Sequence, residues 1–337
     1  MKQLLERICQ LFKQIGRFLP ILGGLTTYWY DHQSGDFRRN TISRLLPWTL
    51  NIIGLIWILY WDSSFLRYFF GNKLNPVMRY VVTSRYFVIA LPPISALVQI
   101  LFRESRFIQI QRNIRIQEME CLKKIAPCQE IEIKFKLLRF FKYLIVSFIF
   151  IINGYWAWDM SKEYYLLAFL YVNVICLPQF LMLQYYLVLA KLCRLFFYID
   201  KHIRQVAQEA TNLPAGNHPT MECRTCCEIY WLRLQHSKLA RLYAELQALF
   251  KCLLYIKRFI SLFNVGMRLY FTLVSWGEFA LIEVFKLDVS DYVSTILDYF
   301  VTDYMCDLAK NSFDDLELSL KEFNEVDYTL SYSIDKE

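Results

Sequence analysis

The chain is short of charge. Of its 337 residues only 20% are Asp, Glu, Lys or Arg, while 56% are hydrophobic and 17% aromatic. A soluble domain carries about 25% charged and about 45–50% apolar residues, so an ordinary water-exposed globule is excluded. Glycine and proline are sparse, at 10 and 9 residues, and there is neither an internal repeat nor a low-complexity segment. No Asn-x-Ser/Thr sequon occurs. The opening residues, MKQLLERICQLFKQIGRFLP, interleave Lys and Arg with apolar residues as far as Arg17. They offer no small-residue cleavage site, so a removable signal peptide is not expected and the first apolar span acts as the insertion signal. A P-loop, a G-x-S-x-G elbow, a dinucleotide fingerprint and H-E-x-x-H are all absent, and neither an enzyme nor a cofactor is expected. The ten cysteines fall in apolar blocks or in basic loops. No structural disulfide is expected.

What is present is apolar sequence gathered into blocks about as long as a bilayer is thick, roughly 20 residues. The clear ones are 45–61, 86–102, 143–158, 164–190 and 259–285; a weaker one, 292–310, is interrupted by Asp298, Asp303 and Asp307. Residues 18–30 are apolar but too short to span, which predicts an interfacial or bundle-packed segment. Pro92-Pro93 and Pro178 predict kinks. The expected fold class is all-α, a polytopic membrane helix bundle of six spans with long cytosolic helix extensions.

The net charge of +7 does not point to nucleic acid, because the bases flank apolar blocks. They gather before the first span (Arg38, Arg39, Arg44), in the loop 103–139, and in the stretch before the fifth span. The intervening loops are nearly free of them. This bias places the N-terminus in the cytosol, the reverse of a G-protein-coupled receptor. The organisation is then a cytosolic or interfacial leader at 1–44, spans one to four with their basic cytosolic loop at 45–190, and a cytosolic helical segment at 191–258. Spans five and six follow at 259–310, with an acidic cytosolic tail at 311–337.

One stretch ties these regions together. Leu239, Leu242, Leu246, Leu249, Leu253, Ile256, Ile260 and Phe263 alternate by three and four, the seam of a helix that packs on another helix. It runs from a basic, water-facing half into an apolar half. The leucines at 239, 242, 246, 249 and 253 are the expected seam for assembly with another subunit.

Cys223-Arg-Thr-Cys226-Cys227, with His218 and His236 nearby, has metal-like C-x-x-C spacing but no second ligand pair. It reads as reduced thiols on a helix face, and no metal is expected. Polar and aromatic side chains inside spans are more informative, since polarity in a bilayer faces a cavity or a partner. With the N-terminus inside, Tyr80, Arg85, Asn153, Trp156, Tyr171, Asn173, Tyr270, Trp276 and Asp298 come to one level in the outer half of the bundle. Aromatic walls with a few convergent polar groups suit a small-molecule ligand. Asp288, Asp291 and Asp298 share one helical face, and read either as a cation-attracting vestibule or as a helix beside water.

Residues 24–40, GLTTYWYDHQSGDFRRN, resemble the leader motif of insect gustatory receptors: a G-L-T segment, an aromatic, D-x-x-x-G, then bases before the first span. DYFVTDYMCD at 298–307, followed by 313–324, resembles that family's sixth span and cytosolic linker. The resemblance implies a seven-helix subunit of a tetrameric, ligand-gated, nonselective cation channel, whose subunits meet through a cytosolic anchor, here 191–258. It implies an outer pocket for small-molecule tastants and a plasma-membrane location in the lipid bilayer. The family's last helix lines the pore and carries T-Y followed by Q-F. This chain ends in polar residues without that signature, so the last helix is expected to be lacking. The leading expectation is a chemosensory receptor subunit that forms homo- or hetero-oligomers with other gustatory receptor subunits. The alternative is a truncated non-channel subunit that assembles with or modulates full-length receptors.

Overall fold

A computed structural model describes residues 25–31, 36–70, 76–160, 165–211, 219–274 and 282–334, several helix ends by backbone alone. Among these residues a two-stranded ribbon precedes six helices. The ribbon pairs β1 (Trp29–Asp31) with β2 (Asp36–Arg38) antiparallel, Tyr30 opposite Phe37. The helices are α1 (Thr41–Phe70), α2 (Pro76–Lys124), α3 (Gln129–Met160), α4 (Tyr165–Thr211), α5 (Pro219–Val274) and α6 (Ile282–Ile334). The described residues are thus mostly helical, with the departure that the end of the apolar stretch 18–30 is a strand; residues 18–24 lie outside the described residues.

The ribbon gives the leader motif a physical role. Phe37 meets Tyr28 and Tyr30 edge-on, at 5.6 and 5.3 Å between ring centroids. Thr27, fully buried, donates both its N–H and its hydroxyl to the Glu104 carboxylate on α2. Arg39 donates to Ser105 at 2.9 Å, and the Ser43 hydroxyl donates to the Thr27 carbonyl at 2.9 Å. α1 then starts on a reciprocal cap. The Ser43 N–H donates to Asn40 Oδ1 at 2.6 Å while the Asn40 N–H donates to Ser43 Oγ at 2.9 Å, satisfying two of the donors a helix start leaves open. Burial pushes the Glu104 carboxyl above its usual range, against the Thr27 hydrogen bonds and the charges of Arg39 and Arg44.

The basic segment 103–139, expected as a loop, is mostly helix. Phe107, Ile110, Ile114, Gln117 and Cys121 are all buried and alternate by three and four, a helical core face that extends α2 far beyond its apolar block. Only the corner at 125–128 breaks it. Lys123 and Lys124 close α2, and Glu130 and Glu132 open α3, each set suited to the dipole end it occupies. The three prolines predicted to kink their spans lie inside continuous helices. Pro219 opens α5, where a missing N–H costs nothing.

The chain folds as two compact units. The first comprises Met1–Ile108, Tyr143–Leu183 and Leu249–Asp298; the second Gln109–Lys142, Gln184–Ala248 and Tyr299–Glu337. In the second unit Tyr185, Tyr186, Tyr198, Phe135 and Phe196 are fully buried. Phe196, His236, Tyr243 and Phe313 form an aromatic cluster from α4, α5 and α6, with His236 stacked on Phe313 at 5.1 Å. Burial holds the His236 imidazole below its ordinary pKa, against the nearby Glu317 charge. The seam leucines expected to meet another subunit, Leu239, Leu242, Leu246, Leu249 and Leu253, are all buried in this chain's own interior. The reason is amphipathic: they form a continuous apolar stripe on a basic helix, and the chain's own helices cover it first. The exposed apolar residues of α5 are others, among them Tyr230, Leu234, Tyr255 and Phe259.

Among the described residues two helices are long and apolar enough to cross a membrane by length and composition, within Thr41–Tyr60 and Phe169–Val206. They differ in use. α1 leaves Ile42, Leu45, Ile52, Ile53, Ile56 and Leu59 exposed, whereas most of the α4 stretch is buried.

Candidate ligand-binding region

The candidate residues whose side chains the structure describes lie in the first unit, on α3, α4 and α6. α4 is held close to α1 at Gly54. A Cβ at that position would lie 2.5 Å from Val174 Cγ2 and 3.1 Å from the Leu170 carbonyl oxygen. A small residue is what lets two helices approach this closely, and even alanine would push them apart. One residue before Val174 is Asn173, only 8% exposed. Its Nδ2 has no acceptor among the described residues. A buried amide donor in such surroundings favours a partner that carries a carbonyl, hydroxyl or ether oxygen.

Asn153 behaves differently. Its Nδ2 donates to the Ile149 carbonyl of its own helix at 2.8 Å, which satisfies that donor locally. Tyr171 is half-buried and has partners of its own. For Tyr80, Arg85, Trp156 and Tyr270 only the backbone is described, each on its helix, and Trp276 lies outside the described residues. Asp288 and Asp291 likewise have no described side chains.

Asp298 has a role the spacing of the aspartates did not suggest. It is 1% exposed, and Lys257 on α5 donates to it at 2.8 Å. Lys257 also donates to Gln179 Oε1 on α4. Asp298 is therefore one half of a neutral, buried pair and not an acidic group facing a vestibule. Lys257 and Gln179 were not among the expected site residues. The signal for Lys257 lay in its register: it follows Leu253 by four and precedes Ile260 by three, which puts a lysine on the buried face of α5. A charge there demands a partner. Gln179 carries no comparable signal, because α4 is buried on most of its circumference.

Among the described residues no cluster of three or more His, Cys, Asp or Glu is placed to hold a metal ion. What the described side chains of this region offer is hydrogen bonding and apolar contact.

The sequence profile of the 7tm Chemosensory receptor family matches residues 12–335. The chain belongs to that family. A chemosensory receptor of this kind is a membrane protein, and the family is one of receptors and not of enzymes. No curated protein matches the receptor significantly.

Proposed function

We propose that this chemosensory receptor is a gustatory-type subunit of the plasma membrane, with a cytosolic N-terminus, that detects small-molecule tastants. Assembled as a tetramer with copies of itself or with other receptor subunits, it gates a nonselective cation conductance. The observation that carries this reading is the family match along 12–335. The leader motif at 24–40 and the cytosolic clustering of bases support the gustatory type and the orientation. The buried Nδ2 of Asn173, without an acceptor among the described residues, supports a tastant with an acceptor oxygen. With the seam leucines committed to the chain's interior, subunit contacts fall to the exposed faces of the cytosolic helices.

Whole-cell recording tests this. Cells expressing the receptor, alone or with another subunit of the same family, are expected to show tastant-evoked currents that reverse near 0 mV, on the order of equal permeability to sodium and potassium. Asn173→Leu is expected to weaken the response about tenfold in tastant concentration, the worth of one buried hydrogen bond of about 1.4 kcal/mol. Silence in both settings, with the protein at the cell surface, would overturn the channel.

A further inference from the structure

In the second unit one arginine ties three helices together. Arg194 on α4 donates to Glu132 on α3 at 2.9 Å and to Glu118 on α2, and the Tyr198 hydroxyl also donates to Glu132. Both carboxylates are thereby engaged. Going from this knot back along α2 and forward along α3 the helices carry bases without acids, and back along α4 the one charge is Lys191. Segments 109–117, 133–142 and 184–193 together hold seven Lys or Arg and no Asp or Glu.

The cations are close enough to feel one another. The Lys191 ammonium lies in the field of Arg194, Arg139 and Arg115, with Glu118 the opposing charge. The Glu132 carboxylate lies in that of Arg194, Arg139 and Lys136. Five cations thus share two carboxylates. Burial raises the Glu132 carboxyl, but the Tyr198 hydrogen bond and those cations outweigh it and hold it below the usual range. The buried Nε of Arg194 finds no acceptor among the described residues. Beside Lys136 and Arg139, α3 exposes Leu137, Phe140 and Phe141. A surplus of positive charge next to exposed apolar side chains is the signature of a surface that meets a headgroup and an acyl chain at once.

We propose that Arg115, Lys136, Arg139 and Lys191 bind the multiply phosphorylated headgroup of an anionic membrane lipid, its acyl chains lying along Leu137, Phe140 and Phe141. Arginine forks fit phosphate oxygens in pairs, and lysines add point charge. The site rests on the orientation proposed above, which puts α3 and α4 at the cytosolic border of their spans near residues 143 and 190. The occupant is a lipid and not a free phosphate compound because the apolar residues adjoin the charges. The binding would make receptor activity depend on the phosphoinositide content of the inner leaflet.

The test uses the full chain purified in detergent and titrated with short-chain phosphatidylinositol 4,5-bisphosphate, with binding read by native mass spectrometry. Saturable binding is expected, at least about tenfold weaker in Arg139→Gln/Lys191→Gln. It is expected unchanged in Lys251→Gln/Arg258→Gln, a basic pair outside the cluster. Lys136→Gln, a change at an exposed position, serves if the double variant elutes as aggregate, and is expected to weaken binding about threefold to fivefold. Equal binding by the cluster variants and the wild type overturns the site. Soluble inositol trisphosphate binding as tightly as the lipid overturns the lipid as occupant. Protease protection of an N-terminal tag in sealed cells reads the orientation separately. A tag cut from outside would overturn the sidedness alone, with lipid binding in detergent still favouring the cluster.

Discussion

The two units bury their charges in different ways. In the first, Lys257 and Asp298 stand one to one, the ion pair at 2.8 Å and nearly sealed from solvent. In the second, Arg194 serves two carboxylates, Glu118 and Glu132, and these are about a fifth exposed, at 20% and 23%. Further cations stand around that knot. The first arrangement is neutral and closed, so its worth is structural: it joins α5 to α6, and through Gln179 to α4. The second is open and carries surplus positive charge, so it holds three helices together and still attracts an anion. Charge balance separates a fastener from a docking surface.

The largest effect is expected at the closed pair. Lys257→Met leaves the Asp298 carboxylate buried without its counterion and should cost about 3–5 kcal/mol. The double change Lys257→Met/Asp298→Leu should recover most of that, because an apolar pair of similar volume replaces an ionic one. Unfolding midpoints of the detergent-solubilised protein read both. A double variant no more stable than the single would show that the pair is not the fastener described.

Breaking the open knot should cost less. Arg194→Met removes a donor from Glu118 and one from Glu132, which keeps the Tyr198 hydroxyl; water reaches both carboxylates, and about 2 kcal/mol is expected. Adding Glu118→Gln should restore part of it by removing one of two adjacent like charges. A loss as large as that at Lys257 would erase the distinction between the clusters.

The smallest effect comes from His236, the neutral titratable group in the aromatic cluster of the second unit. Burial lowers its pKa from the ordinary 6.5, so in the folded state it resists protonation. Above 6.5 both folded and unfolded forms are neutral and its contribution to stability is complete. As pH falls through 6.5 the unfolded chain binds the proton first, and stability drops toward the lower folded pKa. Between pH 7.5 and pH 5.5 the wild type should therefore lose more thermal stability than His236→Phe, which keeps the stacking on Phe313. An identical loss in both would acquit His236.

Much of this was legible in the chain's own pattern. Scarcity of charge, blocks of apolar residues and the placement of bases pointed to an all-helical membrane protein, because such patterns are properties of the chain alone; the family was legible only through the resemblance of residues 24–40 and 298–307 to its motifs. The seam from Leu239 was legible as a helix face for the same reason. Its occupant was not. Periodicity says that a stripe must be covered, and only the packing of this chain's own helices shows by what. The ribbon at 29–38 was hidden because short strands carry little periodic signal, and Glu104, which anchors Thr27 beside it, is 77 residues distant in sequence.

The ligand region divides along the same line. Asn173 was readable as a polar residue in an apolar span, but its unsatisfied donor depends on which groups surround it. Asp298 was read by its neighbours in sequence as part of an acidic row, whereas Lys257, 41 residues earlier, decides its charge. Composition settles how many charges a membrane receptor carries and on which helix faces. Which of them cancel is a matter of distances of about 3 Å between segments far apart in the chain, and those exist only once the helices have packed.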